Sequence, residues 1–133
     1  MSKSIIINKT GGPSVLEIKE ISVGNPKPQE IKIKNLAIGL NFIDTYHRSG
    51  LYPLKLPSGL GLEGSGIITE VGSNVTNFKT GDKVAYAAIP LGSYSTHRNF
   101  PASKIVKIPD GVDFDIAATL MTKGLTTYYL LHQ

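Results

Sequence analysis

One short stretch of the sequence collects side chains that could bind and orient a ligand. It spans residues 37–52 and contains one aspartate, one asparagine, two tyrosines, one histidine and one arginine, namely Asp44, Asn41, Tyr46, Tyr52, His47 and Arg48. Tyrosine rings offer flat walls and their hydroxyl groups form hydrogen bonds, as a cleft for a planar ligand requires. The stretch is therefore the first candidate for a binding site.

The same residues predict a short helix that would hold these groups. Asn41 is a good N-cap, and Asp44 stands three residues later, where a capping box places its acidic member. His47 and Arg48 follow where the end of a helix favours positive charge, and Gly50 can end the helix. The alternative is that this is only a well-capped helix of about one and a half turns packed on a sheet, with no ligand.

A second motif, at residues 59–64, reads Gly-Leu-Gly-Leu-Glu-Gly and matches G-x-G-x-x-G. That motif binds a dinucleotide only when a strand precedes it and a helix follows it. Here a proline-rich loop precedes it and the β-branched residues 67–69 follow, so we reject the dinucleotide-binding interpretation. We expect Glu63 to organise the loop by accepting hydrogen bonds from nearby backbone amides.

The sequence gives little support for a zinc site or a hydrolase. The chain has no cysteine, and His47, His97 and His132 are far apart in sequence, so a tetrahedral zinc site has little to build on. We expect the histidines to be solvated. No Gly-x-Ser-x-Gly motif marks a hydrolase nucleophile.

The remaining pattern predicts the elements that must position these groups. Short β-branched or alternating segments separated by turn residues predict strands at residues 4–9, 15–22, 30–35, 65–71, 82–89, 93–100 and 104–108, which is typical of a β-barrel or sandwich. Asp113 can cap a helix that Gly124 interrupts. A second helix at 125–131 is apolar nearly all round and carries Tyr128 and Tyr129.

Length and composition limit the number of domains and the classes of partner. A chain of 133 residues fits one domain, and a net charge of +4 comes from scattered lysines without the clustered stripe that nucleic-acid binding needs. The N-terminal apolar run is too short for a signal peptide or a membrane span, which favours a cytoplasmic protein.

Several motifs together resemble the medium-chain dehydrogenase/reductases, and within them the NADPH:quinone oxidoreductases of the zeta-crystallin type. The glycine framework reads GLEGSG at 61–66, VG at 71–72 and GDKV at 81–84. The subfamily resemblance lies in NFIDTY at 41–46, RSGLYP at 48–53, KGLT at 123–126 and YYLL at 128–131.

The resemblance implies a mainly β fold, namely a GroES-like irregular β-barrel with a short helix after Asn41 and a helical C-terminal segment. Residues 1–123 would form the GroES-like catalytic domain. Residues 124–133 would begin the helix leading to a Rossmann NADPH-binding domain that is missing from this chain. In zinc-dependent relatives a histidine stands at the position of Leu62 and a cysteine near Asn41, so this sequence resembles the metal-free reductases.

The resemblance also implies roles for individual residues. The nicotinamide end of NADPH would meet Asn41, Phe42, Ile43, Asp44, Thr45, Tyr46, Thr126 and Tyr129. The catalytic set would be Asn41, Tyr46 and Tyr52, with the two tyrosines facing a quinone or another small planar acceptor.

Two functions follow as hypotheses. The first is the catalytic-domain portion of a zinc-independent NADPH:quinone oxidoreductase, with little activity expected from this chain alone. The second is a non-catalytic GroES-like β-barrel that binds partners, including a second copy of itself, through its apolar C-terminal helix. Neither a membrane nor a nucleic acid is an expected partner.

Overall fold

The computed structural model describes residues 1–132, which form two antiparallel β-sheets and three α-helices. The smaller sheet has the order β2-β1-β4 and consists of β1 (Ser2–Ile7), β2 (Glu17–Ile21) and β4 (Ser58–Gly59). The larger sheet has the order β7-β3-β5-β6-β8 and consists of β3 (Glu30–Gly39), β5 (Glu63–Val71), β6 (Lys83–Ala87), β7 (His97–Pro101) and β8 (Ile105–Lys107). The predicted mainly β fold is confirmed.

The two sheets are joined by residues 93–96 rather than closed into one continuous barrel. The sequence pattern predicts a strand that begins at Ser93, but β7 begins only at His97. The reason is that the intervening backbone forms hydrogen bonds with the smaller sheet. The amide of Ile5 donates to the carbonyl of Tyr94 at 2.8 Å, and the amide of Thr96 donates to the carbonyl of Lys3 at 2.9 Å. This segment connects the sheets instead of extending one of them.

The main core lies against the larger sheet and follows from alternation along β3. Ile31 and Ile33 are fully buried, as the alternating pattern predicts, and they pack with buried residues of the neighbouring strands, namely Ile68, Val84, Tyr86, Phe100 and Ile105. Glu63 opens β5, so a strand begins inside the glycine-rich motif and continues to Val71, where a dinucleotide-binding motif would open a helix. The rejection of a dinucleotide-binding motif there is confirmed.

The predicted short helix is present as α1 (Phe42–Ser49), with Asn41 at its N-cap and Asp44 completing a capping box. Gly50 adopts a left-handed conformation with φ of 89° and donates its amide to the carbonyl of Tyr46 at 3.1 Å. A residue with a side chain would be strained at this φ, which explains why a glycine ends the helix.

The C-terminal segment is one continuous helical run, so the prediction that Gly124 interrupts it is wrong. The run consists of α2 (Phe114–Thr119), a π-helical turn (Leu120–Gly124) and α3 (Leu125–Leu131). Gly124 has φ of −66° and ψ of −44°, which are helical values, because a glycine inside a helix costs only about 1 kcal/mol and does not force a break. Ala117 and Ala118 are buried where α2 packs on β3, β5 and β6.

Candidate functional site

The N-terminus of α1 is fixed by a buried carboxylate. Oδ2 of Asp44 accepts the backbone amide of Asn41 at 2.9 Å and the hydroxyl group of Tyr94 at 2.7 Å. Burial raises the pKa of Tyr94, and the bonded carboxylate of Asp44 raises this pKa further. Asp44 is only 4% exposed, so the structure places this predicted cofactor contact inside the protein, where it orients the helix.

Aromatic side chains form a row along α1 and the turn after it. The ring of Tyr46 lies 6.3 Å from that of Phe42 and 5.4 Å from that of Tyr52, measured between centroids. Phe42 is 79% exposed and Tyr52 is also exposed. The structure therefore brings both predicted catalytic tyrosines together beside an open aromatic surface.

His47 belongs to the same row, and the expectation that it is solvated is wrong. Its ring meets the ring of Tyr52 edge-on at 5.9 Å, and its Nδ1 is buried without a hydrogen-bond partner among the described residues. The side chain is half-buried because it packs against this tyrosine.

Glu63 links the cap of α1 to the C-terminal helix. Its carboxylate is fully buried; Oε1 accepts Nδ2 of Asn41 at 2.7 Å and Nζ of Lys123 at 3.2 Å, and Oε2 accepts the backbone amide of Thr122 at 2.9 Å. Glu63 does accept a backbone amide, as predicted, but that amide lies in the π-helical turn and not in its own loop. The carboxylate thus takes an amide that would otherwise donate within the helix, at the place where the helix widens.

These contacts decide the ionisation of Glu63. Burial by itself would raise the pKa of this carboxyl group, but the hydrogen bonds from Asn41, Thr122 and Lys123 stabilise the charged form and hold the pKa below its ordinary value. Glu63 is therefore a carboxylate near neutral pH. A buried charge with three donors is stable enough to act as a fixed junction.

The two cofactor contacts predicted on the C-terminal helix come after the turn that Glu63 holds. Oγ1 of Thr126 donates to the carbonyl of Thr122 at 2.7 Å, which places Thr126 one turn beyond the amide bound by Glu63. Tyr129 follows and is exposed. Among residues 1–132, the aromatic contacts of α1 stay on its own side, and no α1 ring stacks on an α3 ring.

Two residues of this site escaped sequence reasoning as functional groups. Tyr94 reaches Asp44 across 50 positions, and Lys123 reaches Glu63 across 60. No local pattern signals either contact, although Lys123 does lie inside one of the motifs that carry the family resemblance.

No three histidine, aspartate or glutamate side chains among residues 1–132 are grouped so that they could hold a metal ion. The helices of this part of the chain are all too short or too polar to cross a membrane.

Comparison with known proteins identifies the family. Residues 27–110 match the model of the alcohol dehydrogenase GroES-like domain. The chain belongs to this family. It is therefore a member of the medium-chain dehydrogenase/reductases, as the glycine framework indicated.

Proteins named quinone oxidoreductases are similar to this chain in sequence and in structure. Quinone oxidoreductase from Pseudomonas aeruginosa is 56% identical over the whole chain, and quinone oxidoreductase 1 from Escherichia coli is 49% identical. A crystal structure of the Escherichia coli quinone oxidoreductase complexed with NADPH superposes with a TM-score of 0.95 at 49% identity, over 98% of this chain and 40% of that one. The chain spans 41% of the length of the two curated relatives.

Proposed function

We propose that this chain is the catalytic-domain portion of a zinc-independent NADPH:quinone oxidoreductase of the cytoplasm. The observation that carries the proposal is the Glu63 junction. One buried carboxylate holds Asn41, at the start of α1, next to the turn that leads to Thr126. These are the two segments that the family resemblance assigns to the nicotinamide end of the cofactor. Relatives named quinone oxidoreductases, one of them crystallised with NADPH, support the proposal.

The proposal gives each residue a role. The backbone and side chains around Phe42, Ile43 and Thr45, together with Asn41, Thr126 and Tyr129, bind the nicotinamide end. Asp44 contributes to the same wall by orienting α1, since its carboxylate is buried. Tyr46 and Tyr52 face the acceptor.

The chemistry needs little from the protein beyond position and hydrogen bonds. NADPH supplies a hydride, and a quinone is flat and easily reduced, so holding the two within reach provides most of the rate enhancement. The hydroxyl groups of Tyr46 and Tyr52 donate hydrogen bonds to the quinone oxygen as it gains charge. The open aromatic row on α1 suits a planar acceptor.

The proposed organisation divides the chain at residue 124. Residues 1–123 form the catalytic domain, and residues 124–133 begin the connection to a Rossmann domain that would form the other wall of the cleft. The relatives, of which this chain covers 41%, have room for such a domain. Without that wall and its phosphate-binding loop, we expect this chain alone to bind NADPH only weakly; micromolar affinity for the isolated chain would argue against this division.

A chimera tests the proposed activity. Residues 1–133 are joined to the part of Escherichia coli quinone oxidoreductase 1 that lies beyond the matched region, and NADPH oxidation is followed with and without a quinone. We expect quinone-dependent oxidation that falls about 10- to 100-fold in the double variant Tyr46→Phe, Tyr52→Phe, in line with the loss of oxyanion donors. A chimera that folds and binds NADPH but does not reduce quinones would overturn the proposal.

A second candidate function is a non-catalytic module that associates through its C-terminal helix. The observation that favours it is the exposure of the apolar side chains on that helix, namely Leu120, Leu125, Tyr128, Tyr129, Leu130 and Leu131. This candidate predicts a specific homodimer held by the helix, and it requires the folded chimera to lack quinone reductase activity.

A further inference from the structure

Lys123 places a positive charge at the edge of the candidate site. Its Nζ and the Nδ2 of Asn41 both donate to Oε1 of Glu63, at 3.2 and 2.7 Å, so the two nitrogens lie within about 6 Å of each other. The side chain of Lys123 is 53% exposed, whereas that of Glu63 is fully buried. The ammonium group is therefore the outward end of an ion pair whose inward end is the junction carboxylate.

The neighbours of Lys123 in the helix place it between proposed cofactor contacts. Lys123 lies in the π-helical turn, and its carbonyl accepts Oγ1 of Thr127 at 2.9 Å. Thr126, a proposed nicotinamide contact, is three residues further along the same run. Asn41, another such contact, lies across Glu63 on the other side. The sequence pattern assigned Lys123 no role.

We propose that Lys123 binds the oxygen of the quinone acceptor through its ammonium group as negative charge develops there. The inference rests on the proposed function. A quinone that accepts a hydride from NADPH, which leaves as NADP⁺, becomes a hydroquinone monoanion, and water later supplies the proton. An ammonium group has three N–H donors, and Glu63 takes one, which leaves donors for this anionic oxygen.

Glu63 positions this cation without cancelling its effect. Coulomb energy falls with distance, and an acceptor that approaches from the solvent side meets the ammonium group before the buried carboxylate. The ion pair also restrains a long and otherwise flexible side chain, so less freedom is lost when the acceptor binds. Arg48, the permanent cation on α1, is engaged elsewhere, since its Nε donates to the carbonyl of Gly11 at 3.2 Å.

A phenol that mimics the hydroquinone monoanion tests the inference on the chain as it stands. 4-Nitrophenol is titrated with the protein, and its visible absorption reports the phenolate form. A bound phenol beside a cation should ionise more readily, so we expect the pKa of bound nitrophenol to fall by about one unit, which means roughly tenfold tighter binding of the phenolate than of the phenol. No detectable binding, or an unchanged pKa, overturns the proposal.

Matched variants separate charge from folding. Lys123→Met should abolish the preference for phenolate, and Lys123→Arg should retain most of it. Lys107→Met is the control, because Lys107 is 56% exposed and pairs with the carboxylate of Asp82 at 2.9 Å away from the site. If Lys107→Met has the same effect as Lys123→Met, or if Lys123→Met keeps the preference, the assignment to Lys123 is wrong.

The chimera distinguishes failure of this inference from failure of the proposed function. With an active chimera we expect Lys123→Met to lower kcat with a quinone about tenfold or more while the affinity for NADPH stays within about twofold, since the lost contact forms in the transition state. An active chimera whose kcat is insensitive to Lys123→Met rejects only the role of Lys123. A chimera that folds and binds NADPH but does not reduce quinones rejects the proposed function itself.

Discussion

At the scale of single residues, two buried carboxylates fix the positions of the groups that form the site. Glu63 holds Asn41, Thr122 and Lys123 on one side, and Asp44 holds Tyr94 and the start of α1 on the other. Burying such a charge is costly unless its oxygens accept hydrogen bonds. Both oxygens of Glu63 do so, whereas Oδ1 of Asp44 has no partner among residues 1–132. The consequence is that the geometry of the site depends on pH through Glu63, whose pKa is lowered by its hydrogen bonds.

Removing the charge of Glu63 should destabilise the fold in a pH-dependent way. Because its folded pKa is below the ordinary value of 4.5, its stabilising effect is present above that pH and is lost as the pH falls through the folded pKa. We expect Glu63→Gln to lower the free energy of unfolding by about 1–3 kcal/mol at neutral pH, with a smaller difference from the unsubstituted chain below that value. Urea denaturation of both proteins between neutral and acid pH measures this.

Glu70→Gln is the control for that experiment. Glu70 pairs with Lys32 at 2.6 Å, but its own side chain is 45% exposed, so water can replace part of the lost contact and the substitution should cost less than Glu63→Gln. A difference between Glu63→Gln and the unsubstituted chain that stays constant with pH would contradict a lowered pKa of Glu63 in the folded state.

Tyr94 offers a second titration experiment. Its pKa is raised above the ordinary value of 10.0 by burial and by the carboxylate of Asp44, so the stability linked to it is complete below that pH and is lost as the pH rises toward the folded pKa. We expect Tyr94→Phe to remove a late-ionising phenol from the ultraviolet titration, and Asp44→Asn to lower the pKa of Tyr94. If Asp44→Asn leaves the titration unchanged, the carboxylate is not the cause.

At the scale of elements, the position of the C-terminal helix depends on a glycine at the end of β3. A Cβ on Gly39 would collide with the backbone carbonyl of Ala118 in α2 and with the side chain of Glu63. The absence of a side chain lets helix and carboxylate approach the strand together. The π-helical turn then lies where the Thr122 amide meets Glu63.

A methyl group at position 39 should therefore displace the helix. We expect Gly39→Ala to lower the free energy of unfolding by about 1–3 kcal/mol, as overpacking does in other cores. The amide resonance of Thr122 should shift in the same variant, since its bond to Glu63 would be strained. Chemical denaturation and amide NMR spectra measure both effects.

Gly24→Ala is the matched control, because a Cβ there meets nothing within 4 Å and its φ lies outside the left-handed region. It should change stability by less than about 0.5 kcal/mol. Equal effects of the two substitutions would show that the close approach at Gly39 is not what fixes the helix.

At the scale of the whole molecule, the described chain leaves a large apolar helix face uncovered. Leu130 is 69% exposed, and its neighbours on α3 are similarly open. Isolated apolar side chains are common on protein surfaces, but a contiguous group on one terminal helix is typical of a surface that another unit covers. The proposed Rossmann domain and a second copy of this chain are the two occupants that the proposals name.

Self-association of the isolated chain should follow from this exposed helix. We expect size-exclusion elution to shift to larger apparent mass as concentration rises, and Leu130→Asp to suppress the shift because a charge cannot be buried in an apolar interface without a partner. The control is Ile18→Asp on β2, where the side chain is 74% exposed and the strand forms an edge of the smaller sheet. Suppression by Ile18→Asp alone would place the association surface elsewhere.

The sequence by itself determined the features that depend on neighbours along the chain. The cap at Asn41 and Asp44, the glycine stop at residue 50 and the alternation of Ile31 and Ile33 all act within a few residues, so local rules predict them. The mainly β fold follows from the same patterns, and the motifs identified the family. The roles given to the nicotinamide and acceptor contacts remain predictions.

Only the tertiary structure decided how these local pieces form one site. The contacts of Glu63 with Thr122 and Lys123, and of Tyr94 with Asp44, join positions 50 or more residues apart. Long-range backbone hydrogen bonds also make residues 93–96 a link between the two sheets. Such contacts depend on burial and on which backbone amides the fold brings to a carboxylate. The spacing of residues along the chain predicts neither of these.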